Sequence, residues 1–182
     1  MPSLPPILDA TCGSRMIHFD PDCPDVLFMD NRRVDGEAIW KGSSKSGLSV
    51  RHLNVRPDLI ADFTAMPFPD ASFWLVVFDP PHLKHCGENA WIGKKYGILK
   101  GNWKQMLRDG FRECWRVLRP GGTLIFKWSE VQIPVGEIWK AIGARPIFGT
   151  RCGKSAKTIW ATFWKPASEA NPKPAGAAKA AP

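Results

Sequence analysis

Residues 73–85 read FWLVVFDPPHLKH. A continuous apolar run, 73–78, stops at an acid, two prolines and a histidine. A short apolar run bounded by turn residues has the pattern of a buried strand. Asp79, when ionised, is a pure acceptor. Pro80 and Pro81 lack backbone donors and hold their φ angles fixed. The strand therefore ends on a rigid platform rich in acceptors. Such a platform suits a partner that only donates hydrogen bonds, an amino group for instance. The plainer alternative is a strand-end turn.

Three further apolar runs end the same way. Residues 5–10, PPILDA, lead through Asp9 into the loop TCGSR; VLFM at 26–29 ends at Asp30; DLIADF at 58–63 carries Asp62. Four acids at equivalent strand ends read as a binding rim rather than chance. Between the second and third runs, residues 33–58 hold scattered Gly, Ser and Pro. These predict a loop with a short strand pair near 48–56. Residues 83–101 read as irregular. Asn102 caps a helix to about Leu118, with Trp103, Met106, Leu107, Phe111, Cys114, Trp115 and Leu118 at helical spacing. RPGG ends that helix, and TLIFKW at 123–128 is a fifth strand. A short helix follows, with Pro134 near its first turn and Gly143 at its end. RPIFGT and KTIWATFW read as two last strands forming a hairpin. The pattern predicts an α/β domain with a mostly parallel sheet, whose ligands lie beyond the carboxyl ends of the strands.

The totals agree with one folded unit. The chain has 182 residues, 44% hydrophobic, enough for one domain with a core. The domain is expected over 1–165, and the Ala/Pro/Lys-rich stretch 166–182 reads as a disordered tail. A net charge of +8 fits an acidic partner, nucleic acid before others. The five cysteines form no CxxC pair, which fits a reduced, cytoplasmic protein. The first residues lack the pattern of a signal peptide. No apolar stretch is long enough to cross a bilayer, so no membrane partner is expected. A nicotinamide dehydrogenase is disfavoured because the G-x-G-x-x-G fingerprint is absent.

Together, ILDATCGSRM, FMDNR, ADFTAMPFPDASFWLVVFDPPHLK, ECWRVLRPGGTLIFKW and KTIWATFWK resemble the class I S-adenosylmethionine-dependent methyltransferases. Within them the chain is similar to amino-methyltransferases with an Asp-Pro-Pro-aromatic motif. More narrowly, it resembles small phage and prophage adenine-specific DNA methyltransferases. The resemblance covers most of 5–165. It implies a Rossmann-like fold with a seven-stranded, mostly parallel sheet and a final antiparallel hairpin. It also implies S-adenosylmethionine as cofactor and transfer of methyl to an exocyclic amino group of a nucleobase. N6 of adenine in DNA comes first. The alternatives are adenine N6 in RNA, cytosine N4 in DNA, or a non-catalytic cofactor- or nucleic-acid-binding partner subunit.

The resemblance also implies roles for matching positions. The loop Thr11, Cys12, Gly13, Ser14 and Arg15 would approach the methionine half of the cofactor. Asp9 would orient that loop or meet the cofactor's ammonium. Arg15, standing where a second glycine often sits, would pair with the cofactor's carboxylate or point to solvent. Asp30 would take the ribose hydroxyls, Asp62 the adenine amino group, and Phe63 would flank the adenine ring. Asp79 with the carbonyl of Pro80 or Pro81 would hold the acceptor amino group. His82, in place of the family's larger aromatic, would stack on the base. Lys84, His85, Trp91, Lys94, Lys95 and Tyr96 follow on a loop that would fold over a nucleic-acid strand, through phosphate contacts and stacking. His82, His85 and Cys86 invite a metal reading, but a second ligand pair at suitable spacing is missing, so no metal is expected. The stripe Lys104, Arg108, Arg112 and Arg116 reads as a solvated helix face before a binding face.

Overall fold

A computed structural model describes residues 4–44, 47–87, 90–151 and 157–168. The elements in chain order are β1 (Ile7–Asp9), β2 (Val26–Asp30), β3 (Val34–Ser44), β4 (Gly47–Val55), β5 (Leu59–Ile60), β6 (Phe73–Phe78), α1 (Trp91–Tyr96), α2 (Trp103–Val117), β7 (Leu118–Ser129), α3 (Val135–Ile142), β8 (Phe148–Arg151) and β9 (Thr158–Trp164). Seven strands form one sheet in the order β5-β2-β1-β6-β7-β9-β8. β5, β2, β1, β6 and β7 pair in parallel; β9 is antiparallel to both β7 and β8. This is the sheet the sequence predicts, final antiparallel hairpin included. The chain leaves β1 toward β2 and later returns to β1's other side with β6, so the strand order reverses between β1 and β6. Ligands bind at such a switch point in open α/β sheets.

Among the described residues, α2 and α3 pack on the same face of the sheet. Leu8, Val76, Phe78, Leu124, Phe126, Trp128, Ala161 and Phe163 alternate onto that face and are buried against Leu107, Phe111 and Cys114 of α2 and Ile138 of α3. Arg108 Nε donates to the Ala141 carbonyl at 2.9 Å, joining the two helices. Arg116 is enclosed rather than solvated: it bonds Glu113, Asp70 and the carbonyls of Met66 and Phe68. Half of the expected solvated stripe is thus structural. Asn102 caps α2, its side chain accepting from the Gln105 amide at 3.3 Å. Gly110 lets α2 approach the sheet, because a Cβ there would lie 2.5 Å from the Phe63 ring and 2.9 Å from Phe78.

Three expectations need correction. The segment 33–58 is not mainly loop: β3 and β4 form a separate two-stranded hairpin, where the sequence predicts only a short pair near 48–56. The glycines did not prevent it, because Ile39, Leu53 and Val55 supply a buried apolar face. The segment 83–101 contains a short helix, α1, whose Trp91 packs on that same face. The third strand is only Leu59–Ile60, since Asp62 turns back on Thr64. Of the expected tail 166–182, only 166–168 fall within the described residues. No helix among the described residues is long and apolar enough to cross a membrane.

Candidate active site

The carboxyl ends of β1, β2, β6 and β7 open into a cavity of about 700 Å³. Its walls include Thr11, Cys12, Gly13, Ser14, Asp30, Arg32, Phe63, Asp79, Pro81, Lys95, Tyr96, Met106 and Lys127. Candidate cofactor residues and candidate catalytic residues therefore border one continuous space.

Asp9 anchors the first wall from behind. It is fully buried and does not line the cavity. Its Oδ1 accepts the Thr11 amide at 3.1 Å and its Oδ2 meets His18 Nε2 at 2.8 Å. Of its two expected roles, the geometry shows loop orientation. His18 has no motif around it that would have singled it out from sequence. The loop then turns at Gly13, φ +50°, in the left-handed region where glycine is unstrained. A Cβ at Gly13 would meet nothing within 4 Å, so its backbone faces open space. Cys12 lines the cavity, but burial pushes its thiol pKa up to about 12, so it remains a neutral S–H.

Arg15 corrects an expectation. It neither lines the cavity nor points into solvent. Its guanidinium lies 3.8 Å from the Phe28 ring centroid and donates to the carbonyls of Pro21 and Arg56 and to Asp58. It closes the loop over the face of β1 and β2 away from α2, where Cys12, Val26 and Phe28 form a small core.

Asp30 stands at the cavity's edge, 8% exposed. Its Oδ2 accepts the Gly13 amide at 3.0 Å and its Oδ1 the Arg32 amide at 3.2 Å. Burial raises its pKa; the Gly13 amide, the charge of the Arg32 guanidinium and the Arg32 amide oppose that rise. Phe63 supplies an apolar wall, held edge-on against Phe78 at 5.2 Å. Asp62 is exposed and off the cavity; its Oδ1 accepts from Thr64 N and Oγ1, both at 2.8 Å. In this conformation it serves its own turn, and the expected contact to an adenine amino group is not prepared.

The two loops are tied together, since the Asp79 amide donates to Thr11 Oγ1 at 2.8 Å. Asp79 Oδ2 forms an ion pair with Lys127 Nζ. Burial raises the Asp79 pKa and Lys127 opposes it. Lys127 is missing from the sequence prediction, because a lone lysine inside TLIFKW looks like an edge residue; only the pairing of β6 with β7 brings it to Asp79.

His82 is the second correction. Pro81 lines the cavity and His82 does not. The imidazole lies among aromatic rings, 5.7 Å from Tyr96 and 6.2 Å from Trp128. Burial, then Lys127, lowers its pKa, so it is neutral at pH 7. Tyr96 is the aromatic ring that reaches the cavity from this side. Gly97, φ +76°, lets the chain pass Pro81, where a Cβ would sit 3.2 Å from the proline ring.

The remaining loop residues divide. Lys95 and Tyr96 line the cavity; Lys84, His85, Trp91 and Lys94 do not. Lys84 and His85 are exposed, and their amides both donate to Gln132 Oε1, at 2.7 and 3.1 Å. Trp91 is an anchor for α1 rather than a free stacking platform, and Lys94 pairs with Glu37 at 2.8 Å. Arg32 binds the carbonyls of Lys94 and Lys95 at 2.6 and 2.7 Å, joining α1 to the end of β2. Among the described residues no group of three or more His, Cys, Asp or Glu could hold a metal ion.

No family model matches the chain, and no curated protein does. Among solved structures, it is similar to a Thermus thermophilus protein provisionally named a DNA modification methylase, with 19% identity and a TM-score of 0.39 over 59% of this chain and 52% of that one. The S-adenosyl-L-methionine complex of that protein gives 20% identity and a TM-score of 0.34 over 59% and 54%. A Leishmania major SAM-dependent methyltransferase gives 14% identity and 0.38 over 61% and 46%. The chain thus spans about half the length of these proteins. The fold rests on this chain's own strand order.

Proposed function

We propose that the protein is an S-adenosylmethionine-dependent methyltransferase acting on an exocyclic amino group of a nucleobase, with N6 of adenine in DNA as the first expectation. The observation that carries this reading is the single cavity shared by Gly13, Asp30 and Phe63 on one side and by Asp79 and Pro81 on the other. Its size lies within the range of roughly 300–1,000 Å³ typical of small-molecule sites. The first group fits a nucleoside with an amino-acid tail. Asp30 offers carboxylate oxygens to vicinal hydroxyls, Phe63 and Met106 offer apolar surface to a ring, and the open backbone at Gly13 admits the tail. When bound, the cofactor supplies a methyl on a sulfonium, already a strong electrophile.

The protein's task is the acceptor. An exocyclic amino nitrogen has its lone pair delocalised into the ring. Asp79 and the carbonyl of Pro80 or Pro81 accept its two hydrogens, favour a pyramidal nitrogen and stabilise positive charge developing there. That is binding selective for the transition state. After transfer the surplus N–H bond breaks, its electron pair stays on nitrogen, and the proton passes to Asp79 and on to water. Tyr96 takes the stacking role expected of His82. Lys95 and Lys100 at the cavity fit a phosphate backbone. Such contacts predict activity that falls steeply with salt, and methylation in short or degenerate contexts. The alternatives of RNA adenine and DNA cytosine share this chemistry.

The test is purified protein with labelled cofactor and separate DNA, RNA and protein substrates, followed by mapping of modified bases. Label in DNA as N6-methyladenine is expected. Transfer to none of the three would overturn the enzyme reading.

A further inference from the structure

The amino group assigned to Asp79 has a competitor in the site. Phe78 pairs with Phe126 across parallel β6 and β7. The next residues, Asp79 and Lys127, are therefore adjacent. Lys127 alternates with buried Phe126 and Trp128, so its stem leaves the core on the side opposite the helices. The two side chains are 17% and 18% exposed, and Lys127 Nζ also lies 5.8 Å from the Trp160 ring centroid. Both residues line the cavity. An ammonium on Asp79 Oδ2 leaves Oδ1 for an incoming donor.

We propose that Lys127 is a positioning residue for Asp79: it holds Oδ2 so that Oδ1 is presented to the acceptor amino group. The inference rests on the amino-methyltransferase reading. Its physical basis is the choice between two forms of one carboxyl group. Burial drives Asp79 toward its neutral form, and a neutral acid carries an O–H donor. An amino group also presents donors, so the protonated site would set donor against donor. Lys127 keeps the acid an acceptor. The proton released from nitrogen goes to Asp79 Oδ1.

The charged surroundings leave this task to Lys127. Asp9, from β1, disfavours a negative Asp79, and His82, in the same loop, is neutral at pH 7. Arg32, at the end of β2, is engaged with Asp30 and with the carbonyls of Lys94 and Lys95. Lys95 and Lys100 border the cavity from the segment of α1. Among the described residues, Lys127 is the cation in contact with the Asp79 carboxylate.

The test compares kcat–pH profiles of wild type, Lys127→Met and Lys127→Arg, together with carbon-13 NMR titration of the Asp79 carboxyl in protein free of cofactor. Lys127→Met is expected to lose about 100-fold in kcat at pH 7 with little change in KM, as misplaced catalytic groups do. Its acid limb and its Asp79 midpoint should both move up by about one pH unit or more, since an adjacent opposite charge lowers a carboxyl pKa by that order. Lys127→Arg keeps the charge and should keep the wild-type acid limb. Should the methionine variant not fold, Lys127→Gln takes its place with the same expected shifts. An active wild type whose profile is overlaid by that of Lys127→Met, or an unmoved Asp79 midpoint, would overturn the inference. A wild type that methylates no nucleic acid would instead overturn the enzyme reading on which it rests.

Discussion

Asp30 and Asp79 end two strands that flank β1, and both carboxylates are pushed up in pKa by burial. What balances that burial differs. Asp30 is held by the amides of Gly13 and Arg32, at 3.0 and 3.2 Å, with the Arg32 side chain further off at 3.6 Å. Asp79 is held by a side-chain ammonium. Two amides in hydrogen-bond contact, with the guanidinium charge further off, orient a carboxylate in a way that suits binding of neutral hydroxyls. A single side-chain cation both orients and holds the charge, which suits a group that must accept hydrogens and then a proton. On the proposed function, one end of the cavity binds the cofactor and the other reacts.

The sharpest break in that comparison is Asp79→Ala. Transfer should fall about 100- to 1,000-fold, the scale seen when a transition-state contact is lost. Cofactor affinity measured by calorimetry should stay within a few-fold. A parallel loss of affinity would mean the two ends are not separate. Asp30→Ala should show the reverse: cofactor binding weaker by about 1.5–3 kcal/mol, the worth of charge-assisted hydrogen bonds, with kcat at saturating cofactor much less affected. Unchanged affinity in a folded variant would remove Asp30 from the binding end.

Substitutions at Tyr96 sharpen the reacting end. Tyr96→Ala should weaken productive binding of nucleic acid by about 1–3 kcal/mol, as loss of an aromatic–base stack does. Tyr96→Phe should stay near wild type. If only His82 variants lose activity, the stack belongs to His82 and the cavity rearranges on binding.

The smallest expected effect concerns stability. His82 has a folded-state pKa below its ordinary 6.5, through burial first and Lys127 second. An unfolded chain then binds the proton more readily. The stabilisation is complete above about pH 6.5 and is lost as pH falls toward the lowered value. His82→Phe, which has nothing to protonate there, should show a flatter decline of Tm across that window. Equal slopes would mean that His82 contributes nothing to the acid response.

Much of this architecture is legible in residue order. Alternation and apolar runs locate the strands, and the acids at their ends locate the rim. The hairpin β3–β4 is not legible, because its glycines and serines resemble a loop until Trp91, more than thirty residues later, covers its apolar face. Arg15 and His82 are misread for a related reason. Their positions along the chain are right for a site, but their side chains turn to partners distant in sequence, Phe28 and Asp58 for one, Trp128 for the other.

The sequence by itself determines the parallel sheet, the Gly13 turn, the placement of Asp30 and the strand end at Asp79-Pro80-Pro81. Each depends on local chemistry: apolar periodicity, backbone freedom, or donors the prolines lack. Tertiary structure alone decides that Asp9 orients a loop through His18, that Tyr96 rather than His82 reaches the cavity, and that Lys127 meets Asp79. Those outcomes depend on which strands become neighbours and in what register, because ion pairs and ring contacts act over a few ångströms of space whatever the separation along the chain.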